Sequence, residues 1–168
     1  MYSTSEVKKE HKWVKQLTHK EKVRIGDFTI LPLSVAHGDV ECYAFLIFTP
    51  CGQTIAFATD CEGFGYKFKN QIHHIFVEAN NDFDVMVDNA CEGYNNSSQS
   101  QNHMSIDNAI AFIRANYSAT LQSVTLIHLS DTNSNEKEFV QRVKDEFGFD
   151  NVTAATSGQT IILEKEEF

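Results

Sequence analysis

Two β-hairpins followed by an alternation of strands and helices most restrict how this chain folds. The segment VRIGDFTILPLSVAHG places Gly26 and Asp27 between two apolar runs, which is typical of a hairpin. The segment ECYAFLIFTPCGQTIAFATD repeats the form around a Pro/Gly turn at residues 49–52. Further along, short apolar runs alternate with segments of helical periodicity. This order predicts an α/β protein with α+β layering, in which helices cover the outer face of a mixed sheet.

The remaining elements are predicted from apolar spacing and from capping residues. Ser105 can cap the helix SIDNAIAFIRAN, and Gly148 is placed to end a later helix. The Asn/Ser/Gln-rich segment 92–102 is predicted to be a loop. The predicted elements are a strand over 75–77 that ends at Glu78, helices over 83–91, 105–116 and 134–147, and strands over 124–129 and 160–164 (TIILE).

Composition limits the class of protein without naming a function. The 168 residues, with an apolar fraction of 42% and 13 Phe, can bury a core within one domain or part of one. The net charge of -9 argues against a surface that coats nucleic acid. It does not exclude an enzyme that uses bound cations to act on phosphates. The four Cys lack CxxC spacing, and neither a signal peptide nor a bilayer-spanning run is found, so we expect a cytoplasmic protein with no membrane partner.

The N-terminal segment differs in character from the rest of the chain. Residues 1–22 are polar and Lys-rich, and we expect a short helix or an exposed connection there, followed by one domain over residues 23–168. Adjacent residues in a strand point to opposite faces of the sheet, so His73 and His74 cannot easily share one metal. We expect solvated positions for His11 and His19, surface positions for His73 and His74, packing roles for Trp13 and Phe28, and loop positions for Asp82 and Asp84.

Polar residues that can bind metals occur where predicted strands end. His37 follows ILPLSVA, Asp60 follows TIAFAT, Glu78 follows HIFV, His128 follows SVTLI, and His103 stands directly before a helix. Strand ends can converge on one rim of a sheet, and imidazole nitrogen with carboxylate oxygen suits zinc or manganese. Each residue alone also has an ordinary explanation: a strand-end histidine is commonly solvated, and a carboxylate can form a turn or a cap.

Five segments give the chain a resemblance to a known superfamily. VAHGDVECYAFLI, IAFATD, IFVEANND, NHMSIDNAIAFI and LIHLSDTNSNEKEF stand in the order found in the metallo-β-lactamase superfamily. The resemblance is greatest to the branch that holds tRNA 3′-end endonuclease (ribonuclease Z) and phage cyclic-nucleotide phosphodiesterases. It covers roughly residues 23–163 and implies the second half of a metallo-β-lactamase-like αββα sandwich.

The resemblance also implies roles for the residues at the strand ends. By position, His37 resembles a ligand of a first metal, Asp60 the carboxylate that bridges two metals, and His128 a ligand of the second. Glu78 and His103 resemble the carboxylate and histidine of the ribonuclease Z branch, where the histidine protonates the leaving oxygen. The implied activity is hydrolysis of phosphodiester bonds, in nucleic acid or a cyclic nucleotide, with zinc or manganese as cofactor.

One departure from the superfamily pattern leaves other interpretations open. The signature His-x-His-x-Asp-His is absent, and no His-x-His occurs in the chain. We therefore expect the chain to correspond to the C-terminal part of a family member, with an incomplete set of ligands. The alternative is an inactive, truncated member that acts as a binding module and self-associates as a homo-oligomer through an exposed sheet surface. A third interpretation is an ordinary α/β domain whose strand-end residues are coincidental.

Overall fold

The computed structural model of the chain describes residues 1–69, 72–92 and 102–163. Most of the loop predicted over 92–102 therefore lies outside the described residues. The elements are β1 (Tyr2–Ser3), α1 (Ser5–Glu10), β2 (Lys15–Gln16), β3 (Val23–Ile25), β4 (Phe28–Val35), β5 (Cys42–Phe48), β6 (Thr54–Ala58), β7 (His74–Glu78), α2 (Phe83–Cys91), α3 (Ile106–Asn116), β8 (Ser123–Ile127), α4 (Glu136–Phe147) and β9 (Val152–Ala154).

Seven of the strands form one mixed sheet in the order β3-β4-β5-β6-β7-β8-β9. The strands from β3 to β6 pair antiparallel, which confirms both predicted hairpins, and those from β6 to β9 pair parallel. β1 and β2 form a separate two-stranded parallel sheet. Because β4, β6, β7 and β8 run in the same direction, the residues that follow them meet at one edge of the sheet.

Helices α3 and α4 cover one face of this sheet and form the core with it. The apolar stripe of α3 is buried, as are Phe139 and Val143 of α4. They pack in one cluster with sheet residues such as Leu46, Ile75 and Leu126. The Ser105 hydroxyl accepts from the backbone N–H of Asn108 and caps α3, and α4 ends at Gly148, whose φ of 59° a glycine adopts without strain.

The prediction of a final strand at TIILE is wrong. Residues 160–163 lie outside every strand, and the last strand of the sheet is β9, at residues 152–154. Glu164 lies outside the described residues. The alternating pattern predicts that a segment favours extended structure, but a strand forms only where a neighbouring strand supplies backbone partners. The described residues supply none at 160–163.

Several expected side-chain environments are also corrected. His74 is 2% exposed rather than on the surface, and its Nδ1 lies 2.8 Å from the Ser123 hydroxyl of the neighbouring strand. Trp13 is 66% exposed and Phe28 is 44% exposed, so neither is a packing residue. Asp82 caps α2 by accepting from the N–H of Asp84, which belongs to the first turn of that helix and not to a loop.

The N-terminal residues fold against the start of β5. The backbone N–H and the hydroxyl of Ser5 donate to the Glu41 carboxylate, and the Tyr43 hydroxyl lies 3.3 Å from the carbonyl oxygen of Leu17. Val14 is 1% exposed in this arrangement. Among the described helices, none has both the length and the apolar composition that a bilayer span requires.

Stability is expected to fall at acidic pH because of His74. Burial lowers the pKa of His74 below its ordinary 6.5, and the charge of the neighbouring His73 lowers it further. The unfolded chain takes up a proton near pH 6.5 that the folded chain excludes, so this contribution is complete above pH 6.5 and is lost as pH falls. His74→Gln should flatten the pH dependence of the free energy of unfolding below pH 6.5, by at most about 1.4 kcal/mol per pH unit.

Urea unfolding between pH 5 and pH 8 measures this dependence. His11→Gln is the matched control, because it removes an exposed imidazole and should leave the dependence unchanged. Equal slopes for the wild type and His74→Gln would contradict the expectation.

Candidate metal centre

The residues singled out at strand ends meet at one edge of the sheet. His37 and Asp60 each lie two residues beyond their strands, β4 and β6, Glu78 is the last residue of β7, and His128 directly follows β8. His103 reaches the same edge from the segment before α3, which is held by a backbone hydrogen bond from Asn80 to Met104. The structure therefore brings together all five residues that the sequence indicated.

Glu78 is the centre of a buried hydrogen-bond network. Its carboxylate is fully buried. The oxygen Oε1 accepts from Nδ1 of His103 at 2.6 Å and from Nδ1 of His128 at 3.0 Å. The other oxygen, Oε2, accepts from the backbone N–H of Cys61 at 2.9 Å. Because each ring donates through Nδ1, the neutral imidazole keeps its lone pair on Nε2, which is the atom available to a metal or a substrate.

His37 is oriented in the same way by a backbone carbonyl. Its Nδ1 lies 2.9 Å from the carbonyl oxygen of Asn102, so its Nε2 is also left free. Gly38 permits this contact: its φ is +54°, and a Cβ on it would lie 3.0 Å from Nδ2 of Asn102. The backbone N–H of Gly38 donates to Oε1 of Glu62 at 2.9 Å. The sequence did not indicate Asn102 or Glu62 as partners of this segment, and the glycine directly after His37 was the only local signal.

The imidazole rings and the Asp60 carboxylate converge on a small volume. The ring of His103 lies between the other two, with centroids 5.1 Å from His37 and 5.0 Å from His128. One ligand atom each of His37, Asp60 and His103 lies within 4.8 Å of the others, and the same holds for Glu78, His103 and His128. Because both oxygens of Glu78 already accept hydrogen bonds, this residue orients histidines rather than offering a ligand.

Two of the converging residues have unusual backbone conformations. Asp60 has a φ of 52° and His128 a φ of 57°, in the left-handed region that residues with a Cβ rarely adopt. Such conformations cost on the order of 1–3 kcal/mol and persist where surrounding contacts impose them. At His128 the carbonyl oxygen accepts from Nδ2 of Asn80 at 2.9 Å. Backbone strain of this kind at the ends of β6 and β8, on either side of β7, is typical of a functional site.

The geometry and chemistry of these residues fit a divalent cation. Nε2 of His128 and Oδ1 of Asp60 lie 3.7 Å apart, too far for a hydrogen bond. Two ligands at ~2.1 Å from one tetrahedral ion would lie roughly 3.4 Å apart, so the separation is close to that of a ligand pair. Imidazole nitrogen with carboxylate oxygen suits zinc and manganese. Burial raises the pKa of the nearby Cys61 thiol to about 12, and Cys61 does not belong to either group of converging ligand atoms.

Comparison with known proteins adds the fold class. No family model matches the sequence, and no curated protein matches it. Solved structures that share its fold include the following three. The metallo-β-lactamase fold protein YhfI from Bacillus subtilis superposes with a TM-score of 0.68 at 20% identity, over 94% of this chain and 61% of that chain. A diphosphatase from the PhnP family gives 0.61 at 15% identity, over 97% and 58%. A possible metal-dependent hydrolase from Veillonella parvula gives 0.60 at 9% identity, over 96% and 66%.

The chain therefore has the metallo-β-lactamase fold, as the resemblance in its sequence implied. The sheet with helices on one face is the part of that fold that the described residues contain. The chain spans only 61% of the length of YhfI and 58% of that of the diphosphatase. At these identities the similarity establishes the fold, while the chemistry has to be argued from the side chains.

The left-handed conformation of His128 predicts an unusual order of stability among its variants. His128→Gly should have a higher free energy of unfolding than His128→Ala, by about 1 kcal/mol, because glycine adopts a positive φ without a steric penalty. Both variants lose the same imidazole contacts, so these contacts cancel in the comparison. Urea unfolding of the two proteins measures the difference.

The control pair is Asp145→Gly and Asp145→Ala, at an exposed position inside α4. There the order should reverse, because glycine is the poorer residue in a helix interior by about 1 kcal/mol. A less stable protein with glycine than with alanine at position 128 would show that the left-handed conformation is not imposed.

Proposed function

We propose that the protein is a metal-dependent hydrolase that acts on phosphodiester bonds, in nucleic acid or a cyclic nucleotide. The observation that carries the proposal is the convergence of His37, Asp60 and His128 at one edge of the sheet, with Nδ1 of both histidines already hydrogen-bonded. The fold shared with a diphosphatase of the PhnP family supports chemistry at phosphate. We also propose a cytoplasmic location, since Cys42, Cys51, Cys61 and Cys91 are all free thiols.

The residues divide into ligands, a proton donor and a positioning residue. His37, Asp60 and His128 would hold zinc or manganese, with Asp60 able to serve two ions through its two oxygens. A divalent cation held there supplies Lewis-acid activation of water and offsets the charge of the phosphate. His103 lies beside these residues, and its ring, when protonated on both nitrogens, would donate a proton from Nε2 to the leaving oxygen. Glu78 fixes the orientation of that ring through Nδ1.

A second candidate function is a binding module without catalytic activity. The observation that favours it is the absence of His-x-His-x-Asp-His from these 168 residues. In that case His37, Asp60 and His128 would bind a metal weakly or not at all. Three ligands divided between two ions give each ion too few protein ligands.

Metal content separates the two candidates. The purified protein, dialysed after exposure to Zn²⁺ or Mn²⁺, should retain about one ion per chain by mass spectrometry of the metal. The double variant Asp60→Ala/His128→Ala should retain none. The matched control Asp150→Ala/His11→Ala removes the same residue types at exposed positions and should retain the wild-type amount.

Hydrolysis of bis(p-nitrophenyl) phosphate by the same three proteins tests the reaction. Release of p-nitrophenol by the wild type and the control, but not by Asp60→Ala/His128→Ala, supports the hydrolase. A wild type that retains little metal and releases no p-nitrophenol would favour the binding module, and retained metal without release would contradict hydrolysis of phosphodiester bonds. An equal metal content in all three proteins would contradict the assigned ligands.

A further prediction concerns Glu78 as a positioning residue. Glu78→Gln keeps the shape of the side chain but removes the charged acceptor shared by His103 and His128. The loss of such an outer partner typically weakens metal affinity by about 10- to 100-fold. Competition with a chromophoric chelator measures the affinity for Zn²⁺, and kcat and KM are measured separately.

We expect a lower kcat, a nearly unchanged KM and a weaker affinity for Zn²⁺. Glu146→Gln, which removes the partner of Arg114 on the surface, is the matched control and should change none of the three. An unchanged affinity together with an unchanged kcat in Glu78→Gln would mean that the carboxylate has only a structural role.

A further inference from the structure

Asn80, which lies two residues beyond the end of β7, joins the two segments that carry His103 and His128. Its backbone N–H donates to the carbonyl oxygen of Met104, the residue after His103, at 2.8 Å. Its side-chain Nδ2 donates to the carbonyl oxygen of His128 at 2.9 Å. Glu78 therefore holds the two imidazole rings, and Asn80 holds the backbone that carries them.

The backbone at His128 is held on both sides by the segment that follows β7. The carbonyl oxygen of Ile127 accepts from the N–H of Ala79 at 3.0 Å, and the N–H of Ser130 donates to the carbonyl oxygen of Asn80 at 3.0 Å. Between these two fixed points His128 has its φ of 57°, which a residue with a Cβ adopts at a steric cost. Nδ2 of Asn80 holds the carbonyl group of His128 itself.

The direction of the His128 ring depends on this backbone conformation. Cβ and the carbonyl carbon are both attached to Cα, so a rotation of the backbone at His128 also moves the imidazole. Nε2 of His128 lies 3.7 Å from Oδ1 of Asp60, and Nδ1 lies 3.0 Å from Oε1 of Glu78. The left-handed conformation allows both contacts, and a relaxed φ would move the ring away from these two partners.

The type of side chain at position 80 suits this role. An asparagine amide donates through Nδ2, whereas an aspartate would present acceptor oxygens to the carbonyl group of His128. Asn80 is half-buried, which strengthens its hydrogen bond relative to one in water. The next residue continues the connection, because the carbonyl oxygen of Asn81 accepts from the N–H of Ile106 in the first turn of α3. The pair Asn80-Asn81 therefore links β7 to the segments on both sides of it.

We propose that Asn80 is a positioning residue of the candidate metal centre. Its amide imposes the left-handed conformation of His128 and so sets the place at which Nε2 of this histidine meets a metal. The metal part of this inference rests on the proposed function. The conformational part holds for the protein without any metal, so the two parts are tested by separate measurements.

Urea unfolding of double variants tests the conformational part. In the wild-type background, His128→Gly should have an unfolding equilibrium constant about fivefold smaller than that of His128→Ala. In the Asn80→Ala background, residue 128 can leave the left-handed region, so the difference should fall to about twofold or less. Asn80→Asp keeps the size of the side chain but replaces the donor with an acceptor, and it should give the same result as Asn80→Ala. A difference that stays about fivefold in both backgrounds overturns the proposal.

Competition with a chromophoric chelator tests the metal part. Asn80→Ala should weaken the affinity for Zn²⁺ by about tenfold, as the loss of an outer partner of a ligand does. The matched control is Asn151→Ala, because Nδ2 of Asn151 also donates to a backbone carbonyl, that of Gln122 at the opposite end of β8. This control should change neither the Zn²⁺ affinity nor the comparison of glycine with alanine at position 128.

The outcomes separate this inference from the proposed function. A wild type that binds no Zn²⁺ would contradict the proposed function, while the urea comparison would still decide whether Asn80 imposes the conformation of His128. In a wild type that binds Zn²⁺, an unchanged affinity in Asn80→Ala overturns the positioning role. An equal loss of affinity in Asn151→Ala overturns it as well, because a general loss of stability would then explain both variants.

Discussion

The carboxylate of Glu78 has no exposure to water and accepts three hydrogen bonds, two from imidazole rings and one from the backbone of Cys61. Burying a carboxylate without such partners would cost free energy of folding. The segments that carry the hydrogen-bond donors therefore have to pack against the end of β7. His103 and His128 arrive from different parts of the chain and are held by one oxygen atom. The orientation of both rings, and hence the direction of both Nε2 atoms, follows from this single acceptor.

Much of this arrangement could be predicted because local sequence and sheet geometry point the same way. The turns at Gly26-Asp27 and at residues 49–52 identify two hairpins, and the Asp60, Glu78 and His128 positions follow apolar runs too short for anything but strands. Because β6, β7 and β8 are parallel, the residues that follow them lie at the same edge of the sheet. The position of each residue in the sequence is therefore enough to predict the candidate site. The roles within the site, in contrast, depend on which nitrogen each histidine uses.

Other features depended on contacts that no local pattern contains. The alternation in TIILE is a genuine preference for extended structure, but the described chain offers residues 160–163 no neighbouring strand. His74 is buried beside Ser123 of β8, a residue distant in sequence, and Trp13 is exposed although its side chain is large and apolar. Asn102 contributes its backbone carbonyl, which every residue has, so its contact with His37 had no signature of its own.

His74 and Glu78 are the first and last residues of one strand, β7, and their side chains project from the same side of the sheet as Phe76 does between them. At ~3.3 Å per residue they are about 13 Å apart. The backbone of β7 is hydrogen-bonded to β6 and β8 along both edges, which fixes this separation. One strand therefore carries a buried imidazole at one end of the sheet and the shared acceptor of the candidate metal centre at the other.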